Sequence, residues 1–240
     1  MRLSSFAGSD VGLVRSGNED SYFCGRTVFA VADGLGGHQG GEVASAAAVE
    51  PLAALDGRGF ADPGEAAEAL AAAIRQANTA ILDQAAGNPE LWGMGTTLTA
   101  AALAGDRRLQ LAHVGDSRAY LLRDGALDQL TTDHTVVGEL VRRGRLTPGQ
   151  AAVHPERSIL TRAVGLDPSI PVDTPDPIDL RPGDQVLLCS DGLTEAVPDP
   201  QIAELLTTNP DGDAACRALI DTANNAGGPD NITLIVIRVE

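Results

Sequence analysis

TTLTAAALAGDRRLQLAHVGDSRAYLLRDGALDQL, Thr96–Leu130, sets four short apolar runs between three turn signals, Gly105-Asp106, Gly115-Asp116-Ser117 and Asp124-Gly125. Runs this short joined by turns this tight predict consecutive antiparallel strands, a β-meander. Upstream, TVFAVAD (27–33) reads as one more strand, and GEVASAAAVEPLAAL (41–55) as a helix that Pro51 kinks or restarts. A longer amphipathic helix follows, with Asp62 as N-cap, Pro63 at its first position, Glu65 completing a capping box, and Leu70, Ile74, Ile81 and Leu82 at helical spacing. Downstream, residues 133–165 interrupt the strands with two short helices, TVVGELVRRG closed by Gly144 and TPGQAAVH opened by Thr147, Pro148 and Gln150, and read as a flap. The strand QVLLCS (185–190), helices starting near Asp199 and Asp213, and the strand ITLIVIRV (232–239) complete the chain. Strands and helices in blocks predict an α+β fold in which helices lie against antiparallel sheets.

The 240 residues contain no linker-like tract, so one domain spanning 1–240 is expected. A formal charge of −16 argues against a nucleic-acid partner or an anionic membrane surface, and every basic residue is an arginine. Cys24, Cys189 and Cys216 are odd in number and lack metal-type spacing, which suits reduced, buried thiols. MRLSSFAGSDVG at the start has no apolar core of signal-peptide length and no segment approaches a membrane span. The expectation is a soluble, cytoplasmic chain, with any anchor lying outside it. No zinc spacing, Gly-x-Ser-x-Gly elbow or P-loop lysine is present.

Carboxylates carry what chemistry there is. Apolar runs meet an aspartate at Asp33, Asp116, Asp191 and Asp230, and five glycines fall between Gly34 and Gly41. Each Asp-Gly pair alone is an ordinary turn. Asp20, Asp33, Asp191 and Asp230 brought together would repel one another unless a cation sat between them, and all-oxygen ligation selects Mg²⁺ or Mn²⁺. Two such ions about 3.5–4 Å apart would activate a water against phosphorus.

These residues fall within seven motifs: GLVRSGNED (12–20), VADGLGGHQGGEVAS (31–45), GMGTTL (93–98), HVGDSRAYLLRDG (113–125), LTTDHT (130–135), LLCSDGL (187–193) and GGPDNIT (227–233). In content and order they resemble the bacterial metal-dependent serine/threonine protein phosphatases of the protein phosphatase 2C (PPM) family. The resemblance implies a four-layer αββα sandwich, two central antiparallel sheets flanked by helices. It implies that Asp33 bridges two Mn²⁺ or Mg²⁺ ions and Gly34 offers its carbonyl to the first. Asp191 and Asp230 would bind the second, Glu19 or Asp20 would hold metal-bound waters, and Arg15 would grip the substrate phosphate. Asp116, with Asp191, would take a third and weaker ion. Where many eukaryotic relatives carry a histidine two positions after the bridging aspartate, this chain has Leu35. The leaving alkoxide would then take its proton from His38 or a metal-bound water.

The implied reaction is hydrolysis of phosphoserine and phosphothreonine on proteins by a metal-bound hydroxide. Phosphorylated proteins would be the partners, including a Ser/Thr kinase or its substrates, and the protein would act as a monomer. The alternatives are a phosphatase dedicated to one regulatory partner, of anti-sigma-antagonist type, and a non-catalytic scaffold. The remaining polar residues have plainer readings: Asp124 forms a turn, His113 is a structural histidine, and Arg118 is an ion-pair partner. His134 and His154 belong at the surface. Asn231 either orients a metal-bound water or makes an Asx-type turn.

Overall fold

The computed structural model describes residues 2–36 and 40–240. One five-stranded sheet runs in the order β1 (Leu3–Asp10), β12 (Ile232–Val239), β11 (Gln185–Cys189), β8 (Arg118–Arg123) and β9 (Ala126–Gln129). The other runs β10 (Ile178–Asp179), β7 (Arg108–Val114), β6 (Leu98–Ala104), β3 (Val28–Ala32) and β2 (Ser21–Cys24). Every neighbouring pair in both sheets is antiparallel. A two-stranded ribbon, β4 (Gly34–Leu35) with β5 (Gly95–Thr96), extends from the end of β3.

Burial explains why the central strands are apolar on both faces. Phe29, Val31, Leu111, Leu121, Val186, Leu188, Ile235 and Ile237 fill the space between the sheets. The alternate residues of β3, Val28, Ala30 and Ala32, pack under α1 (Gly40–Ala53) and α2 (Pro63–Gly87). Those of β11 and β12, among them Leu187, Leu234 and Val236, pack under α6 (Asp199–Thr208) and α7 (Gly212–Asn225). Four layers result, helix, sheet, sheet, helix, and a strand covered on both faces loses the polar half of its alternation.

The meander is the main departure. β6 pairs with β7, and β8 with β9, but β7 and β8 lie in different sheets. Gly115-Asp116-Ser117 is therefore a crossing between sheets. Gly115 takes φ 109°, where a side chain would run into Thr97. The crossing lets Ala119 and Leu121 enter the inter-sheet core while Tyr120 and Leu122 turn to the α6–α7 side. Asp124 and Gly125 do form the β8–β9 hairpin, both with positive φ as a type I′ turn needs.

Helix ends follow the sequence with small shifts. Pro51 does not restart α1, which runs through it and stops at Ala53. The Asp62 side chain accepts from the Glu65 N–H at 3.0 Å, but the return bond from Glu65 lands on the Ala61 N–H. α7 starts at Gly212, capped by Asp211, because the Asp211 carboxylate accepts from the Ala214 N–H at 2.8 Å. The flap holds α3 (Val136–Arg142) and α4 (Pro148–Ala152), the latter with both bonds of a Thr147–Gln150 capping box. A short α5 (Asp191–Thr194) follows β11. Among the described residues no helix is long and apolar enough to cross a membrane.

Candidate metal centre

Asp33 stands where β3 ends, and its backbone is fully occupied. Its N–H donates to Thr97 Oγ1 at 2.9 Å, and its carbonyl accepts from the Thr97 N–H at 2.9 Å and from Thr96 Oγ1 at 2.8 Å. Pinned this way, the strand end can aim only its carboxylate into the cleft. At Gly34 any Cβ would collide with the carbonyl oxygens of Gly41 and Glu19, so β3, the start of α1 and the segment before β2 can close together only around a glycine.

Asp20 and Asp191 meet Asp33 from two further directions. The Asp20 Oδ2 accepts from Ser190 Oγ at 2.8 Å, while its buried Oδ1 has no partner among the described residues. Asp191 opens α5, immediately after β11, where Gly192 lies against the Asn231 carbonyl. Burial holds Asp33 well above the usual carboxylate range, and the charges of Asp191 and Asp20 push it further. Burial raises Asp20 to about 7 and Asp191 to about 6, the latter against a hydrogen bond with Asp33 that pulls it down. Two carboxyl groups can share a hydrogen bond only if a proton lies between them. Asp116, 8% exposed, is raised by burial and then by Asp191.

Asp230 and Glu19 sit on the outer side. Asp230 Oδ1 accepts from the Asn231 N–H at 2.8 Å, and its Oδ2 receives Arg15 Nη2 at 2.6 Å. That is the single hydrogen bond of the Arg15 side chain among the described residues, and half of that side chain is open to solvent. Arg15 was expected to grip phosphate, and the structure pairs it with Asp230. Burial raises Glu19, opposed by the nearby Arg15 charge. His38 lies outside the described residues.

Several positioning groups were not legible beforehand. Ser190 joins Asp20 to β12, donating to the Asp20 carboxylate and accepting from the Thr233 N–H at 3.0 Å. Asn231 is committed to the loop carrying Arg15: its amide donates to the carbonyls of Val11 and Gly17, and its Oδ1 accepts from the Glu19 N–H at 2.8 Å. An Asx-type turn does not describe it. Both residues lie inside quoted motifs, LLCSDGL and GGPDNIT, but nothing in the sequence says what their side chains reach.

His134 corrects a second expectation. It is buried at 1% exposure instead of lying at the surface. His113 is structural as expected, contacting Thr99 Oγ1 at 2.9 Å and the Thr132 carbonyl at 3.2 Å. Arg118 is the expected ion-pair partner, held bidentately by Asp133.

The donor set suits a hard divalent ion: oxygen atoms only, carboxylates raised by burial and by neighbouring acids, and one buried carboxylate oxygen without a partner among the described residues. Among the described residues no three acids close into a compact cage, so the cluster is a chain of pairwise approaches around Asp33 and Asp191. A cavity of about 660 Å³ is lined by Asp116 and Asp191, by Val137, Val141 and Pro148 of the flap, and by Asp199.

Known proteins share this fold. Residues 16–227 match the protein phosphatase 2C family. The serine/threonine protein phosphatase PstP of Mycobacterium tuberculosis is 47% identical over 237 residues, covering 97% of this chain and 44% of that protein. The serine/threonine phosphatase stp of Listeria monocytogenes is 38% identical over 237 residues, covering 96% and 93% respectively. A crystal structure of the PstP catalytic domain in complex with two manganese ions aligns with a TM-score of 0.85 at 44% identity, covering 98% of this chain and 97% of that one. The chain belongs to the protein phosphatase 2C family. It spans less than half the length of the mycobacterial relative.

Proposed function

We propose that residues 1–240 form one catalytic domain that hydrolyses phosphoserine and phosphothreonine esters on proteins, with the flap at 133–165 beside the site. The observation that carries this reading is the approach of Asp20 and Asp191 to Asp33, all three raised by burial and one with an oxygen that has no partner among the described residues, in a chain of this family. Asp33, Gly34, Asp191 and Asp230 would hold two Mn²⁺ or Mg²⁺ ions, with Asp20 and Glu19 receiving their waters and Asp116 joining Asp191 for a third. Divalent cations so held supply an activated water and neutralise phosphoryl charge.

The chain's own residues have separate tasks. Ser190 and Thr97 fix Asp20 and Asp33 so that each carboxylate is presented in one direction. Arg15 carries a planar fork with its remaining N–H groups open to solvent, and these suit the phosphate of an incoming phosphoresidue. The cavity lined by the flap reaches Asp116 and Asp191 and is large enough to receive residues flanking the phosphorylated one. His38 is the side chain proposed to protonate the leaving alkoxide.

Steady-state hydrolysis of phosphothreonine peptides with Mn²⁺, Mg²⁺ or chelator tests this reading. Turnover abolished by chelator and restored by Mn²⁺ is expected. Tight Mn²⁺ binding with no turnover on any phosphopeptide would identify a scaffold, and no Mn²⁺ binding would overturn the ion assignment.

A further inference from the structure

The flap is tied to the Asp116 crossing through one buried side chain. The His134 N–H donates to the Gly115 carbonyl at 2.8 Å, and His134 Nδ1 accepts from the Gly115 N–H at 3.0 Å. One residue thus closes both backbone groups of the glycine immediately before Asp116. An acceptor Nδ1 carries no proton, so the neutral ring is protonated at Nε2, which points at Asp173 Oδ2 at 3.1 Å. Arg162, on the returning limb of the flap, donates to the other oxygen of Asp173. That limb also pairs with the outgoing one: the Thr161 N–H donates to the His134 carbonyl at 2.8 Å, and Thr135 bridges Leu160. On its other face the ring lies 4.7 Å from that of His113, whose backbone pairs with that of Asp173. The crossing, both flap limbs and the connector through Asp173 therefore meet at His134.

The crossing needs such a tie. Gly115 holds a positive φ, and its neighbour strands diverge into different sheets, so no ladder holds its N–H and carbonyl. We infer that His134 is a positioning residue: by closing both backbone groups of Gly115 it fixes the direction of the Asp116 carboxylate and makes that direction depend on the seating of the flap. The inference rests on the proposed role of Asp116 for its consequence in turnover, but its structural half does not.

Three variants separate the two links. His134→Asn keeps an acceptor near Nδ1 and loses the reach to Asp173, His134→Gln does the reverse, and His134→Phe removes both. Amide hydrogen exchange in chelator reads the Gly115–Ser117 amides against the globally protected amides of β12. The Mn²⁺ concentration giving half-maximal turnover reads Asp116. In H134F, exchange at Gly115–Ser117 should rise about tenfold or more relative to β12. The half-maximal Mn²⁺ concentration should rise by a similar factor, with calorimetric binding of the two tight ions unchanged. H134N should stay near wild type and H134Q should behave like H134F. If H134F does not fold, the contrast between H134N and H134Q decides. Exchange that rises equally everywhere, or H134Q close to wild type with H134N impaired, would overturn the inference. If the wild type shows no metal-dependent turnover, the proposed function fails, and the exchange comparison still decides whether His134 holds the crossing.

Discussion

At Asp33 a single carboxylate carries two opposite consequences. In the metal-free protein burial and the charges of Asp191 and Asp20 disfavour its ionised form, so near pH 7 folding must bind a proton there; Asp33→Asn needs none and should raise the melting temperature in chelator by roughly 3 °C or more. With Mn²⁺ the same substitution would remove the ligand proposed to be shared by both ions and should lower kcat at least about a hundredfold. Thermal unfolding in chelator beside turnover in Mn²⁺ checks both, and D33N less stable in chelator would mean the acids are not in conflict. If Arg15 binds phosphate as proposed, Arg15→Ala should raise KM for phosphothreonine peptides about tenfold with a smaller change in kcat. Because Arg15 competes for Asp230, its removal should leave Mn²⁺ affinity equal or tighter, and a calorimetric loss would count against that account. The acids were legible because they recur at the ends of apolar runs, a pattern local in sequence. Ser190, Asn231 and His134 were not, since each acts on a residue far away in the chain, Asp20, Glu19 and Gly115 respectively.

Among elements, the strands that escaped notice are the edges. LSSFAGSD forms β1 with only Leu3 and Ala7 turned toward the inter-sheet core and Phe6 toward the helices, too little alternation to read as a strand. SYFC forms β2 with four residues. Helices were readable because capping chemistry is local, and the flap is the element where that local order meets the site. The cavity's lining includes Val137 and Val141 of α3, apolar side chains that form no part of the proposed ion site. A charge there should disturb residues flanking the phosphate and leave a small ester alone. Val141→Glu should therefore lower kcat/KM for phosphopeptides about tenfold while p-nitrophenyl phosphate stays within about twofold. Equal loss on both substrates would place the cavity outside the peptide path.

Over the whole molecule, stability and acid are coupled through His113. In an unfolded chain its imidazole titrates near 6.5. Burial and the adjacent His134 lower it to about 4 in the folded protein. Between those values the unfolded chain binds a proton that the folded one excludes, so the stabilisation is complete above about 6.5 and is lost as pH falls toward about 4. Relative to His113→Gln, measured with Mn²⁺ saturating, the wild type should lose about 2 kcal/mol of unfolding free energy between pH 7.5 and pH 5. Parallel curves would show that the ring is charged in the fold. Strand order was the least legible feature, because pairing between residues hundreds of positions apart leaves no mark in any short window. Leu3 pairs with Val239, and β12 lies between β1 and β11, inside its sheet. Asp230 arrives with that strand. During synthesis β1 waits unpaired, and neither the sheet nor the acid cluster can close until residues 230–239 have left the ribosome. On the proposed function a nascent chain would therefore have no competent centre, and any phosphoprotein nearby would be safe from it until translation had passed β12.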